Sequence, residues 1–469
     1  MSADPRPLRR LSRPRDGRAA APVRMLHLGL GNFFRAHAAW YTDKAPDAAD
    51  WGIAAFTGRS AATALALAGQ EGLYTLLVRG AAGPEPQVVS SLSAVHPADD
   101  LEALRAYFER PEVAVVTLTV TEAGYRRDET GGLDVAAQDV RADIAALTSD
   151  PHRGTVTTTP GKLVAGLLAR RRAGAGPIAI VPNDNVPENG AMAARVVGDL
   201  AAAVDPALPG WIAAHVSYVT TMVDRITPRT TDDDRAAVAE LTGVDDPQTV
   251  PTEPFTEWVL AGDFPAGRPA WEAAGATIVG DVRPFEHRKL WLLNGAHSLM
   301  AYAGSLLGHR TVAEAIADPT VRAWVEQWWD AAARHLDFPQ AEVTAYREAL
   351  LERFTNPNIR HLLAQIAADG SQKIPIRAVP VLQADLADGR VDPGATRLVA
   401  AWIVHLRGHG APVADARGVP DTAVGAVLAW LGVDSDEVRF VVDRQVRELV
   451  SCAARQQAAT RGHPHPADL

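Results

Sequence analysis

The run Arg24-Met25-Leu26-His27-Leu28, followed at once by Gly29-Leu30-Gly31-Asn32-Phe33-Phe34-Arg35-Ala36-His37, constrains this chain more than any other feature. The first five residues read as a short buried strand, and the amphipathic stretch 34–44 reads as a helix. Between them, Gly29 and Gly31 let backbone amides approach a diphosphate at the helix start. Further strand-like segments at 51–56, 113–120 and 177–181 alternate with helical patterns at 100–109, 160–173 and 188–203. That alternation implies a mainly parallel sheet covered on both faces. From about Arg288 onward the pattern is almost wholly helical, as at 311–336, 340–353, 395–406 and 436–457.

A length of 469 residues suits two domains. The expected fold class is α/β: a Rossmann-like dinucleotide-binding domain over 21–284, then a mostly α-helical domain over 285–469. Apolar residues at 47% and charged residues at 22% are ordinary for a globular protein. The longest apolar runs, such as 398–404, fall far short of the roughly 18 residues of a membrane span, so a soluble protein is expected, and the scarcity of cysteine fits a reducing cytoplasm. A net charge of −10 argues against a general grip on nucleic acid. The single cysteine, Cys452, rules out an internal disulfide and a cysteine-rich metal site. Residues 1–20 carry Arg6, Arg9, Arg10, Arg13, Arg15 and Arg18 among prolines, with no apolar segment after them. They are expected to be a disordered basic tail and not a secretory signal. His463-Pro464-His465-Pro466 reads as a frayed end.

Only four of the 46 basic residues are lysine: Lys44, Lys162, Lys289 and Lys373. A chain that meets its surface charge with arginine keeps lysine where arginine cannot serve, because lysine can give up its proton. Lys289 opens the run Lys289-Leu290-Trp291-Leu292-Leu293-Asn294-Gly295-Ala296-His297. At roughly 100° per residue, Asn294 and His297 lie about 140° and 80° from Lys289 on an α-helix, along one wall of a cleft. A lysine there can move a proton, and an amide can hydrogen-bond to a developing alkoxide without titrating. The glycine motif is less specific. Phe34 stands where the usual third glycine belongs, and Thr57-Gly58-Arg59-Ser60 follows the second strand without the acid that normally holds the adenosine ribose.

Several motifs together resemble the polyol-specific long-chain dehydrogenases, the mannitol dehydrogenase family. They are the Gly29-x-Gly31-x-Phe33-x-Arg35-Ala36-His37 opening, Thr117-Leu118-Thr119-Val120-Thr121-Glu122-x-Gly124-Tyr125, Asp184-Asn185, Met222-Val223-Asp224-Arg225-Ile226 and Lys289-x4-Asn294-x2-His297. They run in order over 24–377. The chain departs from many members at Pro182-Asn183-Asp184-Asn185, where Ser-Cys commonly precedes Asp-Asn. The resemblance implies a metal-independent oxidoreductase in which Lys289 is the general base, Asn185 and Asn294 polarise the reacting oxygen, and His297 helps bind substrate. It sets Asp224 and Glu286 near the site. It also implies that Gly29, Gly31, Asn32, Phe33, Arg35, Thr119, Thr121, Glu122 and Val223 contact the dinucleotide. NAD is the expected cofactor, and NADP is left open by Arg59.

Members of this family act on neutral polyols or on a hexuronate. Asp369-Gly370-Ser371-Gln372-Lys373-Ile374-Pro375-Ile376-Arg377 and Asn356-Pro357-x-x-Arg360-His361 are similar to the fructuronate reductase pattern. Arg377 can engage a carboxylate through two parallel hydrogen bonds, Lys373 can add a second positive charge, and His361 joins them as a substrate-binding candidate. The expected reaction interconverts D-fructuronate and D-mannonate. The alternatives are a mannitol 2-dehydrogenase or related polyol dehydrogenase and, remotely, a silent nucleotide-binding sensor, which would need none of Lys289, Asn185 and Asn294. The expected partner is a small sugar acid or polyol, with no nucleic acid or membrane. The oligomeric state stays open, a monomer included. A short-chain dehydrogenase is disfavoured because Tyr41-x-x-Lys44 does not meet its Tyr-x-x-x-Lys spacing.

Overall fold

The computed structural model describes residues 8–58, 60–416, 418 and 421–461. Arg59 and the His463–His465 run therefore lie outside the described residues. The chain folds as two compact units, Met1–Arg283 and Pro284–Leu469.

Among the described residues, twelve strands form three sheets in the first unit. They are β1 (Val23–Leu28), β2 (Gly52–Phe56), β3 (Tyr74–Gly80), β4 (Gly83–Val89), β5 (Leu92–His96), β6 (Val115–Leu118), β7 (Ile178–Pro182), β8 (Val216–Tyr218), β9 (Thr220–Asp224), β10 (Val250–Thr252), β11 (Glu257–Ala261) and β12 (Thr277–Ile278). The main sheet has the order β5-β2-β1-β6-β7-β8, and all of its pairings are parallel. Two three-stranded sheets, β10-β3-β4 and β12-β11-β9, complete the unit. Side chains alternate across the main sheet, as the period of two requires. Leu26, Leu28 and Phe56 pack into one apolar layer, and Met25, Ile53 and Ala55 into another. Strand order reverses direction between β1 and β6, and the crevice beyond their carboxyl ends is where an open α/β sheet binds its ligand.

Two sequence expectations change in this unit. The stretch 34–44 is two helices, Asn32–Ala36 and Ala38–Lys44, parted at His37 with φ −121° and ψ −98°. The His37 ring stacks on Phe33 and its Nε2 meets the Glu257 carbonyl at 3.0 Å, which outweighs helical continuity. The described part of the 1–20 segment is packed and not a disordered tail. Arg13 donates to the carbonyls of Leu92 at 2.5 Å and Glu71 at 2.9 Å. Arg18 pairs with Asp43 at 2.8 Å, and Leu11 is buried against Leu73 and Val244. Composition made these arginines look solvated, but each finds an acceptor on the folded unit.

Helices dominate the second unit. The expected helix over 311–336 is broken into Val312–Ala317 and Pro319–Ala333, because the residue before a proline is driven out of helical conformation. Asp318 instead caps the second piece. Trp328, Trp329 and Trp402 are among its largest fully buried side chains. No described helix is long and apolar enough to cross a membrane.

Candidate functional site

The crevice at the switch point is a cavity of about 600 Å³ lined by Gly29, Leu30, Gly31, Gly58, Thr119, Val120, Thr121, Ala123, Gly124, Arg126, Asp139 and Thr157–Thr159. Its floor comes from paired strand ends: Leu28 is in register with Leu118, and the Thr119 amide donates to the Leu28 carbonyl at 2.9 Å. Gly29 has φ +106°, and a Cβ there would stand 1.9 Å from the Thr119 carbonyl oxygen. Only glycine permits that approach. The Thr119 hydroxyl is buried with no protein partner. A bare backbone turn and an orphaned hydroxyl beside a cavity of this size fit a dinucleotide.

The sequence candidates divide here. Gly29, Gly31, Thr119 and Thr121 line the crevice. Arg35 is 4% exposed; its guanidinium donates to the Gln248 carbonyl at 2.6 Å and to the Asn32 side chain at 2.7 Å, while Asn32 donates to Thr230 at 3.2 Å. These two brace the glycine turn from behind. Phe33 stacks on His37, Glu122 pairs with Arg127 at 2.6 Å, and Val223 is buried in β9. Sequence reading missed Gly58, Gly124, Arg126, Asp139 and Thr157–Thr159. The run of threonines before Pro160 was the available signal, since Thr158 caps the helix Thr159–Ala173. Asn185 is exposed beyond β7, and Asp224 is buried at the end of β9.

In the second unit, Lys289 begins a π-helical segment, Lys289–Gly295, between the α-helix Arg283–Arg288 and the short helix Ala296–Leu299. This corrects the α-helical phase used above. A π-helix closes its bonds over five residues, so Lys289 and Asn294, five apart, come round to neighbouring positions instead of about 140° apart. The cause lies elsewhere in the chain. Indole N–H groups of Trp328 and Trp329 donate to the carbonyls of Trp291 and Leu292, each at 2.8 Å, and Arg377 donates to the Asn294 carbonyl at 3.3 Å. Side chains inserted into the ladder deform a helix in this way. Gly295 makes room, because a Cβ there would lie 2.5 Å from the Trp328 ring.

His297, 7% exposed, has its ring 4.9 Å from that of His361 and 5.0 Å from that of Phe354. Burial first, then His361, Arg353 and Arg377, hold its pKa well below the usual imidazole value. Burial and Arg353 likewise lower that of His361. Both rings are therefore neutral at pH 7, and the positive charge of the cluster resides on Arg353 and Arg377. Arg377 also donates to the Ser298 hydroxyl at 3.0 Å, and its Nε is buried with no partner. Burial lowers its pKa to about 10, which leaves it charged at neutral pH. Lys373, by contrast, donates to the carbonyls of Ala368 at 2.6 Å and Ile366 at 3.1 Å. Glu286 is half-buried on the helix that leads into Lys289. Arg353 was not singled out as a site residue in the sequence.

Residues 23–273 match the mannitol dehydrogenase Rossmann domain, and residues 281–419 match the mannitol dehydrogenase C-terminal domain. The chain is 37% identical over 408 residues to D-mannonate oxidoreductase of Escherichia coli (strain K12), covering 85% of this chain and 83% of that protein. It is 40% identical over 397 residues to D-arabinitol 4-dehydrogenase of Ralstonia nicotianae, covering 82% and 83%. The solved ternary complex of Pseudomonas fluorescens mannitol 2-dehydrogenase with NAD and D-mannitol shares its fold at a TM-score of 0.76 and 32% identity, over 95% of each chain. With a glycine crevice at the switch point and a lysine, asparagine and histidine on one deformed helix, the chain belongs to the mannitol dehydrogenase family of oxidoreductases.

Proposed function

We propose that this family member interconverts D-fructuronate and D-mannonate with NAD as cofactor. The observation that carries the reading is the cationic cluster around His297. Arg353 and Arg377 supply charge, the two neighbouring histidines are neutral, and Arg377 retains a buried donor with no protein acceptor. A carboxylate satisfies that donor and the positive charge of Arg377 at once, which a neutral hydroxymethyl group cannot do. Gly29, Gly31 and Thr119–Thr121 bind the dinucleotide, and Arg35 and Asn32 hold the glycine turn in shape.

When bound, NAD(H) supplies the hydride acceptor or donor. Lys289 takes the hydroxyl proton during alcohol oxidation and returns one to the oxygen during ketone reduction, the role for which lysine and not arginine is suited. The Asn294 amide donates to that oxygen as charge develops on it, and Asn185 shares this task. His297 and His361, neutral at pH 7, hydrogen-bond sugar hydroxyls, and Asp224 and Glu286 accept from them. The second reading, a neutral-polyol dehydrogenase, is favoured by the likeness to mannitol 2-dehydrogenase. A panel of D-mannonate, D-mannitol and D-arabinitol, assayed by nicotinamide absorbance with NAD and with NADP, separates the two. D-mannonate with NAD is expected to lead D-mannitol by at least about tenfold in kcat/KM, a difference of about 1.4 kcal/mol. A lead for D-mannitol would favour the second reading, and a clear NADP preference would overturn the cofactor assignment.

A further inference from the structure

Thr121 lines the crevice with φ +68° and ψ 162°. This is a left-handed extended conformation that glycine adopts freely and a β-branched residue adopts only when its surroundings compel it. The compelling group is Asp184. Its carboxylate, 5% exposed, accepts the backbone N–H of Val120 at 2.8 Å, the backbone N–H of Thr121 at 2.7 Å and the hydroxyl of Tyr125 at 2.6 Å. Asp184 is itself held in place. The Asn189 side chain donates to its carbonyl at 3.0 Å and to the Thr221 carbonyl at 2.9 Å. Were Thr121 to relax, its amide would turn away and leave a buried carboxylate short of a donor, a costly outcome. Thr119–Thr121 faces the glycine turn so closely that the Thr119 oxygen fixes the place of Gly29.

We propose that Asp184 is a positioning residue for the dinucleotide: by clamping Thr121 in its left-handed conformation, it sets the wall of the crevice opposite Gly29. The proposal rests on the reading of this crevice as the NAD site. It makes a specific demand. Asp184 acts through the conformation of Thr121, so its contribution should shrink once residue 121 reaches that conformation without help.

A double-mutant cycle on the full-length protein tests this, with the NADH dissociation constant read from quenching of protein fluorescence. Asp184→Ala removes both side-chain oxygens that accept from Val120, Thr121 and Tyr125. It is expected to weaken NADH binding about tenfold or more, within the range of coupling between residues in direct contact. With Thr121→Gly already present, the same change is expected to cost about threefold or less, because glycine accepts positive φ unaided. If Asp184→Ala alone does not fold, the double variant should fold and bind NADH. Equal fold losses in both backgrounds, no loss in either, or a double variant that fails to fold would each overturn the clamp. A wild-type protein that does not bind NADH would remove the cofactor reading itself, and the clamp with it.

Discussion

Replacing Arg377 with methionine removes the guanidinium while keeping most of the apolar stem, and the structure sets what should follow. Two neutral acceptors lose a donor whatever the substrate: the Ser298 hydroxyl at 3.0 Å and the Asn294 carbonyl at 3.3 Å. At about 1.5–3 kcal/mol of folding stability each for a charged donor, these losses loosen the variant and act on D-fructose and D-fructuronate reduction alike. A carboxylate that also loses its buried partner costs a further 2–5 kcal/mol or so, about 30- to 5000-fold. The informative quantity is therefore the ratio of kcat/KM for D-fructuronate to that for D-fructose, followed by NADH absorbance. Arg377→Met should lower this ratio by at least about 30-fold. A ratio unchanged within about threefold would show that Arg377 only braces the lysine helix, and the carboxylate assignment would fail.

Gly29→Ala should abolish measurable NADH binding, since its Cβ would lie 1.9 Å from a carbonyl oxygen that the β1–β6 pairing holds in place; retained binding in an isothermal titration would refute the close approach. Acid should destabilise the protein before its carboxylates titrate. His27, whose pKa burial lowers to about 3, and His297, also lowered by burial, stay neutral when folded but take up protons when unfolded below about pH 6.5. The unfolded state then binds more protons, so stability falls as the pH falls, by up to about 1.4 kcal/mol per unit for each group. A urea midpoint that is the same at pH 7 and pH 5 would contradict this.

The parallel sheet and the glycine turn were legible in the sequence because both are local patterns, of apolar alternation and of a two-glycine strand exit. The lysine motif was legible for a different reason: lysine is scarce here, so its placement carries information. Its geometry was not legible. The π-helical phase of Lys289–Gly295 depends on Trp328, Trp329 and Arg377 reaching its carbonyls, and no pattern within the motif records those interactions. Arg353 was hidden for the same reason, at the end of a helix whose spacing reads as ordinary packing. Arg13 and Arg18 misled in the opposite sense, since an arginine–proline composition does not reveal that folded carbonyls and Asp43 await each guanidinium. Asp184 stood within a recognisable motif, yet its tie to Thr121 spans 63 residues.

The most direct test of the account is the turnover of Lys289→Ala with and without a small primary amine. Positioned proton transfer contributes about 10²- to 10⁴-fold. Turnover should therefore fall by at least that range's lower end at pH 7, with the NADH dissociation constant near wild type. Added methylamine, supplying the missing group in solution, should recover part of the lost rate in proportion to its concentration. Turnover close to wild type in Lys289→Ala would contradict the claim that this lysine moves the proton.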